Sequence, residues 1–257
     1  MKFRTIMVKY CFLFLLFSTL TFSQTPKVNV EYIQSSYAIW KNYHFNNILL
    51  SLDFKALDVN NTEISKENFL NELTTGKYLP VEIESEKGFT YKLFVINSKA
   101  DTSIKATIEA QSFDILQNLK REILPFPDFS FKDIDGNTID FAQLKGKIIV
   151  LKCWFIHCAS CIKEFPSVNN LAEKYKSRND IVFISLAEDS AEALKIFLQK
   201  KPLQYLVVPN MKDYMYTTMG VGAFPTHYIL DKEGKIYKIL SNEKELEIAL
   251  DKIAHLE

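Results

Sequence analysis

The chain has 257 residues, 47% hydrophobic and 24% charged, a balance that excludes an intrinsically disordered protein and leaves room for one large or two small domains. Thirty-one basic residues cancel thirty-one acidic ones, so no net field draws the protein to nucleic acid or to an anionic membrane. Partners are therefore expected to be recognised by local shape, and nucleic acid is not among them.

Residues 1–23 have the pattern of a secretory signal peptide. Lys2, Arg4 and Lys9 precede an apolar run, Tyr10 to Phe22, that is short for a membrane span, and Thr21-Phe-Ser23 before Gln24 makes an imperfect cleavage site. Cleavage and export to the periplasm or beyond are the expectation; the protein contacts a membrane only if this segment is kept as an anchor. Cys11 leaves with the signal. The mature chain then keeps Cys153, Cys158 and Cys161, an odd number with one close pair, which excludes a disulfide-stapled secreted scaffold. A lone Cys-x-x-Cys without a second Cys/His pair does not complete four zinc ligands, so no metal is expected.

Residues 24–122 read as a smaller α+β domain without a chemical signature. Glu31 to Leu50 has a partly helical apolar rhythm, and its aromatic residues Tyr32, Tyr37, Trp40 and Tyr43 are expected in the core. His44 reads as a surface or half-buried side chain. Ser65 is placed to cap a helix through Leu73, with Phe69, Leu70 and Leu73 on one face and Gly76 beyond its end. Tyr78 to Glu84 and Phe89 to Ile96 read as strands about a turn at 85–88, and 103–123 as one strand and one helix.

Pro125-Phe-Pro127 marks a boundary, and 123–257 reads as a second domain. Alternating residues on both sides of Asp135-Gly136 predict a hairpin. Lys147 to Phe155 is a buried strand that runs through a turn into a helix. That helix carries Ile162, Phe165, Val168, Leu171, Ala172 and Tyr175 on one side, with Pro166 expected to kink it. Strands at Ile181–Leu186 and Tyr205–Val208 alternate with helices at Ala191–Gln199 and Met211–Met219. A hairpin about Asp231 to Gly234 and a helix at 242–253 follow. Strand and helix in alternation argue an α/β fold with parallel crossovers.

The chemistry lies between Val150 and Pro166. A buried strand ending in Cys158-Ala-Ser-Cys161 at a helix start suits a dithiol redox site, because the first sulfur meets the positive end of the helix dipole. An ordinary thiol with a pKa near ~8.5 is mostly protonated at neutral pH, whereas one so placed falls to roughly 3.5 to 7.5 and attacks disulfides. The second sulfur, one turn on, closes the ring and releases the partner. Pro225, read alone, is either a cis or an ordinary trans turn proline.

With Cys158, Cys161, Glu164, Pro166 and Phe224-Pro225-Thr226 in this order, about Phe126 to Glu257 resembles the thioredoxin superfamily, and more closely the TlpA/ResA group of exported thiol-disulfide reductases. The resemblance implies a thioredoxin-like domain, a central mixed sheet with helices on both faces. Cys158 is then the attacking and Cys161 the resolving thiol, with Pro225 cis and Phe224 to Thr226 binding substrate. It implies Glu164 as a proton shuttle, no bound cofactor, disulfide-bearing protein substrates, a membrane electron-donor protein and a place in cytochrome c maturation.

The chain departs from thioredoxin's pattern in three places: Ala159-Ser160 between the cysteines, His157 before them, and Lys152 where a buried acid is usual. A buried ammonium must be paired or lose its proton, so Lys152 is expected either to meet Glu164 or to snorkel to water. His157 either favours the thiolate or is simply exposed. Cys153, on the opposite strand face, reads as an inert core residue. One rival reading is a thiol peroxidase, against which stand Phe155 and Leu151 where peroxiredoxins keep Thr and Pro. The other is a binding module with a regulatory disulfide.

Overall fold

The computed structural model describes residues 25–256, so the expected signal segment lies outside the described residues. A four-stranded sheet forms in the first half of the chain, and a five-stranded sheet with a separate two-stranded hairpin in the second.

Helices α1 (Val30–Ile33) and α2 (Tyr37–Asn47) come first. The side chains of Asn29 and Ser36 accept the Tyr32 and Ile39 N–H groups, satisfying donors that a helix start otherwise leaves unpaired. Strands β1 (Lys55–Leu57) and β2 (Glu63–Ile64), helix α3 (Lys66–Leu73), strands β3 (Tyr78–Glu82) and β4 (Thr90–Val95), and helix α4 (Thr102–Leu119) follow. The sheet runs β2-β1-β4-β3, parallel only between β1 and β4. Ser65 caps α3, and Phe69, Leu70 and Leu73 are buried beneath it.

Two expectations for this half need correction. The segment 103–123 holds no strand, because α4 is one helix of 18 residues. Its buried positions Ile104, Ile108, Ser112 and Leu116 recur every four residues, a helical stripe whose hydrophobic signal the serine interrupts. Of the four aromatic residues, Trp40 is buried and Tyr37 and Tyr43 are half-buried, but Tyr32 is exposed.

The second half begins with the hairpin β5 (Ser130–Lys132) and β6 (Thr138–Asp140), turned at Gly136 with φ +88°, a conformation glycine adopts without steric cost. A 3-10 turn (Phe141–Leu144) leads into β7 (Ile148–Trp154). Then come α5 (Ala159–Lys163), α6 (Phe165–Lys174), β8 (Ile181–Ala187), α7 (Ala191–Leu198), β9 (Leu206–Val208), β10 (Thr226–Leu230), β11 (Ile236–Leu240) and α8 (Glu243–Leu256). Pro166 does not kink one helix. It stands in the first turn of α6, where a missing N–H has no intrahelical partner to lose. Met211–Met219 yields only a π-helical turn, Tyr214–Thr218.

The sheet order is β11-β10-β7-β8-β9, with β7, β8 and β9 parallel and β10 and β11 antiparallel to their neighbours. Every residue of the central β7 is buried. Ile149, Leu151 and Cys153 face an apolar cluster with the β5–β6 hairpin and the π-helical turn, while Ile148 and Val150 face one with α6 and α8. The two halves are bonded together. Lys238 Nζ donates to Glu122 at 2.7 Å and to Asp53 at 2.9 Å. The Ser51 N–H donates to Glu245 at 3.0 Å, and Leu49 and Leu52 join the core under α8.

Candidate active site

Strand β7 delivers the chain to a turn in which Cys158 and Cys161 are joined as a disulfide. Cys158 is the N-cap of α5, and its Sγ accepts the Cys161 N–H at 3.2 Å. The turn is held from both sides: the Cys158 N–H donates to the Phe155 carbonyl at 3.0 Å, and the Ile156 N–H donates to Asp189 at 2.8 Å. Once the bond is opened, a Cys158 thiolate meets the same N–H and the positive helix end. Both sulfur-bearing residues are buried, Cys158 at 6% exposure and Cys161 at 0%, so the first lies nearer the surface.

Cys153 is different. It lies in the apolar cluster one strand residue from Lys152, and burial pushes its thiol up to about 12. It stays protonated at neutral pH, as an inert core residue should.

The Phe224–Pro225 bond is cis, and its loop touches the dithiol turn. Ser160 Oγ lies 3.4 Å from Cys158 Sγ and donates to the Phe224 carbonyl at 3.4 Å. The Phe224 ring packs on Phe155 and Tyr216, with centroids 5.3 Å and 5.9 Å apart. Thr226 opens β10 opposite Cys153, and its hydroxyl donates to the Ala223 carbonyl at 2.7 Å. His157 is exposed.

Beneath the turn is a buried polar group. Lys152 Nζ donates to Glu164 Oε2 at 2.6 Å, so of the two placements open to this lysine the structure takes pairing. A third member was not legible in the sequence: His227, directly opposite Lys152 across the β7–β10 pair, wholly buried, with Nε2 3.1 Å from the same Oε2. The Glu243 N–H donates to Oε1 at 3.0 Å. Burial pushes the Glu164 carboxyl up, but the charges and hydrogen bonds of His227 and Lys152 outweigh it and hold the group at about 2. Burial pulls Lys152 below the usual lysine range, against the pull of Glu164. Burial and the Lys152 charge likewise pull His227 below its ordinary value. A neutral imidazole facing a carboxylate must carry its proton on Nε2, which leaves Nδ1 an acceptor without a partner among the described residues.

The AhpC/TSA family matches residues 123–239. Thiol-disulfide oxidoreductase ResA of Bacillus thuringiensis (strain Al Hakam) is 33% identical over 118 residues, covering 46% of this chain and 68% of that one. ResA of Bacillus cereus is 32% identical over 130 residues, covering 49% and 75%. Among solved structures, the thioredoxin domain of a thiol-disulfide oxidoreductase from Bacteroides vulgatus is similar at 21% identity and a TM-score of 0.47, covering 51% of this chain and 96% of that one. A dithiol turn beside a cis-proline loop, on a sheet whose sequence runs with ResA over most of its length, leaves one assignment: this chain belongs to the thioredoxin-like thiol-disulfide oxidoreductases of the ResA group.

Proposed function

We propose that the protein is an exported disulfide reductase in which Cys158 attacks and Cys161 resolves. The observation that carries this reading is the unequal burial of two sulfurs at one helix start. The Cys158 thiolate attacks one sulfur of a client disulfide, breaks the client S–S bond and expels the other client sulfur as a thiolate. The Cys161 thiol loses its proton, and its thiolate displaces the remaining client sulfur from Cys158. Two electrons pass to the client, and the client thiolates take up protons. A membrane dithiol donor then re-reduces the Cys158–Cys161 bond. The client chain lies along Phe224, Pro225 and Thr226.

Glu164 receives the Cys161 proton together with His227. A carboxylate at about 2 is ionised across the neutral range, yet a group of such low pKa is a weak base. The imidazole bonded to it offers a second acceptor in Nδ1, which has no partner among the described residues. Lys152 fixes the carboxylate from the other side, and exposed His157 stands next to Cys158 in the turn.

In this reading residues 1–23 are a cleaved signal, 24–122 form an accessory domain and 123–257 the redox domain. Cytochrome c maturation is the pathway in which such a reductase would serve. The testing experiment is insulin reduction with a dithiol donor, alongside a redox titration of the dithiol. Turnover and a potential between about −270 and −200 mV are expected, whereas about −120 mV would mark an oxidant. Peroxide consumption in place of disulfide reduction would favour the peroxidase rival.

A further inference from the structure

A cavity of about 580 Å³ opens beside the cis-proline loop, and its two walls come from different halves of the chain. One wall is the loop from Gly220 to Thr226 with Ser160, the residue whose hydroxyl touches Cys158. The other is built by α2 and α4, from which Phe45, Phe113 and Asp114 line the space. That second wall is fixed. Arg121, just past α4, donates to the Met219 carbonyl and to the Tyr228 hydroxyl, and Lys244 Nζ donates to the Asn46 carbonyl at 2.6 Å. Lys163 of the cysteine helix stands over the Phe45 ring, 5.8 Å from its centroid.

The chemistry of the cleft is uneven in a useful way. Phe45 is 53% and Phe113 55% exposed, on adjoining helices that line a cavity also lined by Ser160, whose hydroxyl lies 3.4 Å from Cys158 Sγ. Large aromatic side chains left open beside a functional cleft mark a surface that a partner covers. Asp114 is half-buried and lines the cleft opposite the loop, close enough to Gly222 that a Cβ there would stand 3.4 Å from its Oδ1. Burial raises its carboxyl above the ordinary value, and no cation of the chain pairs with it among the described residues. The size suits a short stretch of chain, since sites for small ligands and peptide side chains run from roughly 300 to 1,000 Å³.

We infer that this cleft is the client-binding groove of the enzyme, and that it takes an extended protein segment with an aromatic or large aliphatic residue and a basic residue beside the half-cystine. The apolar side chain lies against Phe45 and Phe113, the basic one reaches Asp114, and the half-cystine is thereby set over Cys158. The region 24–122 is in this way half of the substrate site. The inference rests on the reductase reading above and adds the class of client to it.

The test uses the full mature protein and three substrates: a disulfide-linked peptide with Phe and Lys beside its cysteine, the same peptide with Ser in both places, and hydroxyethyl disulfide. In the wild type, kcat/KM for the first peptide should exceed that for the second by about tenfold, the size of effect one aromatic anchor gives. The double variant Phe45→Ser with Phe113→Ser should bring the ratio close to one, Asp114→Asn should lower it by about threefold, and Phe113→Leu should keep most of it. Both rings are more than half exposed, so the variants should melt as the wild type does. A ratio near one in the wild type, or one indifferent to these substitutions, would overturn the inference and leave the reductase reading standing. Failure to reduce hydroxyethyl disulfide as well would sink that reading and the inference with it. A dimer that dissociates in the double variant would assign the cleft to a second copy of the chain, and would also overturn the inference.

Discussion

The two faces of β7 bury very different things within one strand. On one face, Ile149, Leu151 and Cys153 enter an apolar cluster, and the thiol among them is pushed up to about 12. On the other face, Ile148 and Val150 are equally dry, but the Lys152 amine next along donates to Glu164, which His227 also holds. The strand alternation that sends neighbours to opposite sides makes both possible. What the contrast teaches is that burial alone silences a thiol, whereas a carboxylate buried among donors and opposite charge is held ionised. Within β7 the buried charge-bearing side chain lies toward the end of the strand that meets the dithiol, which places it beside the site.

The sharpest break between the faces is expected in turnover. Cys158→Ser should lower insulin reduction by roughly a thousandfold or more, as loss of a nucleophile does, whereas Cys153→Ala should leave the rate within about twofold. Equal losses from the two would erase the distinction. Next comes stability. Glu164→Gln leaves Lys152 buried without its counter-charge, a change that costs about 3–5 kcal/mol, read as a lower urea midpoint; Cys153→Ala should cost much less. A Lys152→Met variant keeps the volume and removes the charge, so the Glu164 carboxyl should titrate higher and, as a stronger base, should speed the resolving step by up to about tenfold. Trapping the mixed disulfide and timing its release reads this step, and an unchanged release rate would remove Lys152 from the mechanism.

The smallest effect expected is in pH dependence. Glu164 titrates at about 2 folded against 4.5 unperturbed, so the stability it contributes is present above 4.5 and lost as the pH falls toward 2. His227 acts in the same direction from higher pH. Its folded pKa lies below 6.5, the unfolded imidazole therefore binds a proton that the folded one refuses, and stability falls as the pH drops below 6.5. His227→Gln should flatten the upper part of the acid decline in urea midpoint and leave a lower part. A profile that keeps its full upper slope would place the titrating group elsewhere.

Much of this site could be read from residue order. The apolar run before Cys158 and the Asp135-Gly136 turn are local signals, and each fixes its own neighbourhood, whereas Pro225 read alone leaves cis and trans open. The Lys152–Glu164 pair was one of two placements that a charge in a buried strand left open, and the strand's burial on all sides takes the pairing. His227 gave no such signal, because it sits in β10, whose five residues are all buried, and only the antiparallel register with β7 sets it opposite Lys152. Helix α4 was obscured by Ser112 in its buried stripe. The cleft walled by Phe45 and Phe113 depends on how α2 and α4 lie against the cis-proline loop, which no local periodicity records.

The central claim is that Cys158 is the activated, accessible thiol and that Cys161 and Cys153 are not. Reducing the protein, alkylating it briefly at about pH 6.5 and mapping the adducts by mass tests this most directly. Modification at Cys158 alone, faster than at an ordinary thiol with a pKa near ~8.5, is the predicted result. Modification first at Cys161 or Cys153, or none before the pH passes that ordinary value, would contradict it.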